Sequence, residues 1–164
     1  DGGPAFCSQE RIGKNEKPFK MWKFRSMVVN ADQMIDQLED QNEIEGAMFK
    51  IKDDPRITKI GHTIRKYSLD ELPQLWNVLI GDMSLVGPRP PLPSEVEEYT
   101  DYDKQRLLVM PGCTGLWQVT KRNEADFDEM VWLDIVYINH SGLWEDLKLI
   151  IKTIGVVIHP NGAY

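Results

Sequence analysis

Ser68-Leu69-Asp70-Glu71-Leu72-Pro73-Gln74-Leu75-Trp76-Asn77-Val78-Leu79-Ile80-Gly81 is the strongest motif in the chain. Leu72, Leu75, Trp76 and Leu79 recur at helical spacing, and Gly81 supplies a C-terminal stop. Pro73 is tolerated only in the first turn, where its missing N–H costs nothing. The helix is therefore predicted to start near Asp70 and Glu71, with two adjacent carboxylates at its N-terminus. The dipole there favours the ionised form of a carboxylate, and the free N–H groups can receive a phosphate. A carboxylate can also attack phosphorus and form an aspartyl phosphate. Mg²⁺, which suits oxygen ligands and phosphates, would then screen Asp70 and Glu71 from an anionic substrate. The competing reading is structural: Ser68-x-x-Glu71 fits a capping box and Asp70 an N-cap, and caps are far commoner than active sites.

The flanks of the motif are basic. Arg56, Lys59, Arg65 and Lys66 lie upstream, and Arg89 lies downstream between Pro88 and Pro90. Arginine suits bidentate phosphate recognition, and a stiff backbone lowers the entropy cost of holding it. The surroundings thus suit a highly anionic ligand such as a nucleotide diphosphate; the plainer reading of Arg89 is a turn residue paired with a surface acid.

Further out, residues 4–8 and 19–25 read as strands joined by a turn at 13–15. Period-2 spacing puts Phe19, Met21, Lys23 and Arg25 on one face, so Lys23 and Arg25 point the same way. A solvated strand edge explains the pair equally well. Helices are predicted over 30–47, 57–65, 96–108, 127–139 and 143–158, an extended segment over 87–91, and a turn at 111–115 feeding a strand over 116–119. The fold class is α+β, mainly helical with a small N-terminal β-hairpin or sheet, in a single domain over 1–164.

Composition narrows the function. Of 164 residues, 41% are hydrophobic and 27% charged, which suits a globular chain. The net charge of -7 disfavours nucleic acid and non-specific adhesion to anionic membranes. The acidic excess sits in 29–49 and 95–103, away from the motif. Cys7 and Cys113 are too few for a disulfide scaffold or a zinc site. No apolar run approaches the roughly 18 residues that cross a bilayer. Phosphate-loop, dinucleotide, zinc-protease and C-x-x-C signatures are absent. Asp101-Tyr102-Asp103 and Asp126-Phe127-Asp128 are D-x-D patterns, which leave open a soluble metal-dependent nucleotide-sugar glycosyltransferase. A non-catalytic scaffold that keeps the dyad only as a cap is the third reading.

The ordered motifs together resemble the bacterial sugar transferases that act on polyprenyl phosphate, the monotopic phosphoglycosyl transferases. The resemblance runs through Ser8-Gln9-Glu10-Arg11-Ile12-Gly13, Phe19-Lys20-Met21-Trp22-Lys23-Phe24-Arg25-Ser26-Met27 and the segment from Ser68 to Leu75. It continues through Gly81-Asp82-Met83-Ser84-Leu85-Val86-Gly87-Pro88-Arg89-Pro90 and Pro111-Gly112-Cys113-Thr114-Gly115-Leu116-Trp117-Gln118-Val119, and ends at Asp146-Leu147-Lys148. It implies transfer of a hexose-1-phosphate from a UDP-sugar to undecaprenyl phosphate with release of UMP, initiating exopolysaccharide or capsule assembly. Asp70 would be the nucleophile, Glu71 its partner, and Mg²⁺ the cofactor. Lys23, Arg89, Arg122 and Asp146 fall at the family's functional polar positions. The resemblance also implies a membrane-associated catalytic domain on the cytoplasmic face of the bacterial inner membrane, preceded in family members by a membrane-inserted segment. The helix over 143–158 would then either rest on the bilayer or pack in the core. Neither the sugar nor the oligomeric state is legible.

Overall fold

A computed structural model of the chain describes residues 2–34, 51, 54–121 and 125–158. Strands β1 (Phe6–Ile12) and β2 (Pro18–Phe24) form an antiparallel hairpin, with Phe6 opposite Phe24 and Ile12 opposite Pro18. The ladder runs up to the turn, so β1 lies further along the chain than the predicted 4–8. The turn at Lys14–Glu16 places Asn15 and Glu16 at φ 57 and 60. Asn tolerates that left-handed conformation readily; Glu does so at a cost. Of the predicted helix over 30–47, the described part contains only a 3₁₀ turn, Asp32–Met34, and residues 35–47 lie outside the described residues.

Helix α1 (Lys59–Lys66) is capped by Thr58, whose Oγ1 accepts from Gly61 N at 3.0 Å. Thr58 N in turn donates to Ser26 O, which pins α1 to the chain leaving β2. A Cβ at Gly61 would sit 2.0 Å from Ser26 O, so only glycine allows this approach. Next come a 3₁₀ turn, Leu69–Glu71, and helix α2 (Gln74–Ile80), which stops at Gly81 with φ 89.

The sidedness of α2 is the main surprise. Its polar residues Gln74 and Asn77 are buried, while Leu75, Trp76, Leu79 and Ile80 are exposed, as is Leu72 just before the helix. Hydrogen bonds do the docking. Asn77 Oδ1 accepts from Trp22 N at 3.0 Å, and its Nδ2 donates to Lys20 O at 2.8 Å and Asp82 Oδ2 at 3.1 Å. One side chain thus completes the open edge of β2 and fastens it to α2. The other strand is held at its end, where Ile12 N donates to Pro91 O and Arg11 Nη1 to Pro90 O.

Two short parallel strands follow, β3 (Ser84–Val86) and β4 (Gly112–Thr114). The strand predicted over 116–119 is instead helix α4 (Leu116–Thr120), and the predicted turn is β4 itself. Gly112 permits the pairing, since a Cβ there would lie 2.1 Å from Gly87 N. Helix α3 (Pro93–Glu97) and a 3₁₀ helix, Asp103–Leu108, replace the single helix predicted over 96–108. The break has a local cause: the Asp103 carboxylate accepts from Thr100 N and Oγ1 at 2.8 Å, and Asp103 N donates to Thr100 Oγ1 at 3.3 Å, so side-chain bonds compete with the helix ladder there.

Helices α5 (Phe127–His140) and α6 (Leu143–Ile158) close the fold, close to their predicted spans. Val86, Tyr137 and Leu149 form the core where β3, α5 and α6 meet. Alongside it lies a fully buried Arg106–Asp134 ion pair. Burial lifts the Asp134 carboxyl to about 6 against the pull of Arg106. Arg106 also donates to Tyr99 Oη at 2.8 Å and to Arg89 O at 3.2 Å, so the core pair anchors the backbone of the Pro88-Arg89-Pro90 segment. The outer face of α6 (Leu143, Trp144, Leu147, Ile151, Ile154, Ile158) is exposed. Among the described residues no helix is long and apolar enough to cross a membrane. The α+β, mainly helical class with an N-terminal hairpin is as predicted.

Candidate active site

Asp70 and Glu71 lie on the wall of a cavity of about 270 Å³. Lys23, Arg65 and Arg89 line it on the cationic side; Cys113, Thr114, Trp117, Gln118 and Val119, with Thr153, Val156 and Val157 of α6, line the rest. Three separate constraints converge here. Hairpin docking through Asn77 brings Lys23, the residue after Trp22, to Glu71, with Nζ 3.2 Å from Oε1. Arg65 arrives in the last turn of α1. Arg89 is held by its flanking prolines and the Arg106 bond, with Nη1 3.8 Å from the buried Glu95 carboxylate.

Neither predicted cap is formed. Ser68 has φ 53 and makes no side-chain cap bond, and α2 proper begins only after Pro73. Asp70 therefore sits in the 3₁₀ turn rather than at the end of the α-helix. A left-handed serine costs roughly 1–2 kcal/mol, and it persists because α1 and the turn are each anchored elsewhere.

Asp70 is 8% exposed. Its carboxyl is pushed above the usual range, first by burial and then by the Glu71 charge, with Lys23 and Arg65 pulling the other way. The expected dipole-favoured ionisation is outweighed: desolvation of a buried carboxylate is larger than the field of one short turn. A poorly solvated carboxylate within reach of cations is well placed to attack an electrophile drawn in by those cations. Burial and the Glu71 charge also push the Cys113 thiol up to about 11, so it is a neutral wall group.

The other predicted site residues divide. Arg25 donates through Nε to Pro4 O at 2.6 Å and through Nη1 to Met27 O at 3.3 Å, tying down the N-terminal segment rather than lining the cavity. Asp146 accepts from Tyr137 Oη at 2.7 Å; Tyr137 also reaches Val86 O, so Asp146 braces the joint of α5, α6 and β3. Arg122 lies outside the described residues. Of the upstream basic cluster, Arg56 is buried against Asp54, with Nη2 2.6 Å from Oδ2, and Lys59 and Lys66 are exposed. One residue of each D-x-D pattern serves local structure: Asp103 accepts from Thr100 N and Oγ1, and Asp126 accepts from Glu129 N at the start of α5.

Among the described residues Asp70 and Glu71 are the only carboxylates lining the cavity, and no three His, Cys, Asp or Glu cluster to cage a metal. Mg²⁺ usually binds through one or two carboxylates and completes its octahedron with water and substrate phosphates. The donor set therefore suits a cation held jointly with a diphosphate.

The wall made by α4 was not predicted. Trp117 Nε1 and Gln118 Oε1 are buried without a hydrogen-bond partner among the described residues, and so is Arg65 Nη1. Each such group costs about 1–3 kcal/mol when left unmet. Residues 116–119 carry no titratable group, and their sequence predicts a strand. The only signal was their place in the motif that begins at Pro111.

A family model described as bacterial sugar transferase matches residues 1–160. The chain is 55% identical to the galactosyl transferase CpsE of Streptococcus agalactiae, over 99% of the chain and 36% of that protein. It is 47% identical to the UDP-galactose-lipid carrier transferase of Erwinia amylovora, over 100% of the chain and 35% of that protein. It is 49% identical to the undecaprenyl-phosphate galactose phosphotransferase of Salmonella typhimurium, over 100% of the chain and 35% of that protein. The chain thus spans about one third of the length of these relatives. With its motifs in family order and the Asp70-Glu71 pair set in a cationic cavity, the chain belongs to the bacterial sugar transferase family.

Proposed function

We propose that this chain is the catalytic unit of a phosphoglycosyl transferase, which moves a hexose-1-phosphate from a UDP-sugar to undecaprenyl phosphate and so initiates exopolysaccharide or capsule assembly. The observation that carries this reading is the Asp70 carboxylate, buried and raised in pKa, on a cavity lined by Lys23, Arg65 and Arg89. The names of the relatives support the donor and the lipid acceptor.

In the first step an Asp70 oxygen attacks the β-phosphorus of the donor. An acyl-phosphate bond forms, the bond between that phosphorus and the oxygen bridging to the α-phosphate breaks, and UMP leaves with the electron pair. In the second step an oxygen of the lipid phosphate attacks the same phosphorus, and Asp70 departs as carboxylate. Lys23, Arg65 and Arg89 neutralise the non-bridging oxygens and hold the diphosphate in line. Lys23 also holds Glu71 at 3.2 Å, which leaves Glu71 positioned beside the attacking group. Mg²⁺, held by Asp70 and Glu71 together with the substrate phosphates, would supply further charge neutralisation at the transferred group.

A lipid acceptor requires contact with a bilayer at the cytoplasmic face of the bacterial inner membrane. The exposed apolar faces of α2 and α6 support this, because α6 lines the cavity, α2 follows the Asp70-Glu71 turn in the chain, and burying such faces in the interfacial layer is favourable.

The test is UMP release from a panel of UDP-sugars with undecaprenyl phosphate in detergent. Asp70→Asn should abolish release and prevent labelled sugar phosphate from becoming attached to the protein when acceptor is withheld. Asp126→Asn and Asp128→Asn should be tolerated. UDP rather than UMP as product, with the opposite pattern of variants, would establish the D-x-D glycosyltransferase reading instead.

A further inference from the structure

The proposed reaction assigns the cationic side of the cavity and leaves the α4 side without a role. That side carries an unmet donor, Trp117 Nε1, and an unmet acceptor, Gln118 Oε1, both buried and both on residues that line the cavity. Thr114 adds a second acceptor. Thr153 Oγ1 donates to Leu149 O at 2.7 Å, so in the 2.8 Å contact between the two threonines Thr114 is the donor and its lone pairs stay available. Val156 and Val157 provide apolar surface on the same cavity.

Scattered single donors and acceptors on an apolar wall suit a ring of hydroxyl groups. Each hydroxyl both donates and accepts, and the C–H face of the ring needs apolar contact. An ionised phosphate could accept from the Trp117 N–H but brings no proton for the Gln118 carbonyl oxygen or the Thr114 lone pairs, whereas hydroxyls serve all three. The sugar must also lie close to Asp70, since it is bonded to the phosphate that Asp70 attacks.

We infer that Trp117 and Gln118 form the sugar subsite, in which the indole N–H donates to one hexose hydroxyl and the Gln118 carboxamide accepts from another. The assignment rests on the donor reading above. It makes these two residues contacts for the hexose ring rather than for the nucleotide.

The experiment is calorimetric titration of the purified protein in detergent with UDP-galactose, UDP-glucose and UDP. Trp117→Phe keeps the ring and removes the donor; Gln118→Met keeps the length and removes the acceptor. Each should weaken binding of the preferred UDP-hexose by about 3- to 10-fold, the size of one hydrogen bond, and leave UDP unchanged. Retained UDP binding also reports an intact site. An equal loss for UDP would place the nucleotide on this wall and overturn the inference, as would no loss for any ligand. The wild-type protein gives a check that needs no variant: removing donor hydroxyls one at a time should weaken binding by a similar factor at one position or more, and a flat series would also overturn the inference. If the wild type bound neither UDP nor either UDP-hexose, the donor reading itself would fall.

Discussion

Replacing Asn77 by alanine tests the central packing argument, because one polar side chain holds the hairpin to the helix after the dyad. Asn77 is fully buried and makes three hydrogen bonds, to Trp22 N, Lys20 O and Asp82 Oδ2. Each is worth about 0.5–1.5 kcal/mol net. Trp22 is partly exposed, so water can reach the strand edge after truncation and the full penalty for orphaned groups is not incurred. The expected loss is about 2–4 kcal/mol, read as a lower urea midpoint with unchanged slope. Asn77→Asp should cost more than alanine, because it sets an oxygen against Lys20 O and a second carboxylate against Asp82. The damage should also reach the site: Lys23 follows Trp22, so loosening β2 frees Lys23 from Glu71 and kcat/KM should fall under conditions where the protein is still folded. A loss below about 1 kcal/mol, or full activity in a destabilised variant, would refute the claim that this amide sets the geometry of the site.

Asp70→Asn should remove activity without removing stability. A folded-state pKa above the unfolded value, near 4, gives stability that is fully present at low pH and lost as pH rises through the folded value. At neutral pH the ionised Asp70 is a cost, so the variant should unfold in equal or higher urea than wild type, with the gap closing as pH falls; a loss of about 1 kcal/mol would instead mark a cap. By the same shift, the acid limb of the kcat/KM profile should lie above the ordinary carboxylate range. Asp134→Ala leaves Arg106 buried and unpaired and should cost about 3–5 kcal/mol in urea unfolding. Gly112→Ala would drive its Cβ into Gly87 N, force β3 from β4 and should destabilise by about 1–3 kcal/mol or more, measured by thermal unfolding.

Local rules located most elements. Alternation and turn residues placed the hairpin, and helical spacing placed α1, α5 and α6 within a few residues. They failed where the signal was short. Leu116 to Val119 looked like a strand because four β-tolerant residues in a row have no period to read, and the glycine that permits strand pairing, Gly112, lies just upstream. The predicted helix over 96–108 is broken because Thr100 and Asp103 bond to each other in its middle and compete with the ladder.

By itself the sequence singled out the adjacent carboxylates Asp70 and Glu71, the stiff Pro88-Arg89-Pro90 segment, and the alternation of strands and helices, because these depend on neighbours within a turn or two. Tertiary structure alone decided which face of α2 is inside. Periodicity marks an apolar stripe but not its direction, and here the buried side is chosen by Asn77 meeting the open edge of a strand some 55 residues away. It also decided which cations serve the cavity. Arg56 is neutralised by Asp54, and Arg25 is held by backbone carbonyls. Lys23, Arg65 and Arg89 converge from β2, α1 and the Pro88-Arg89-Pro90 segment, brought together by hydrogen bonds and close backbone approach at positions distant in the chain.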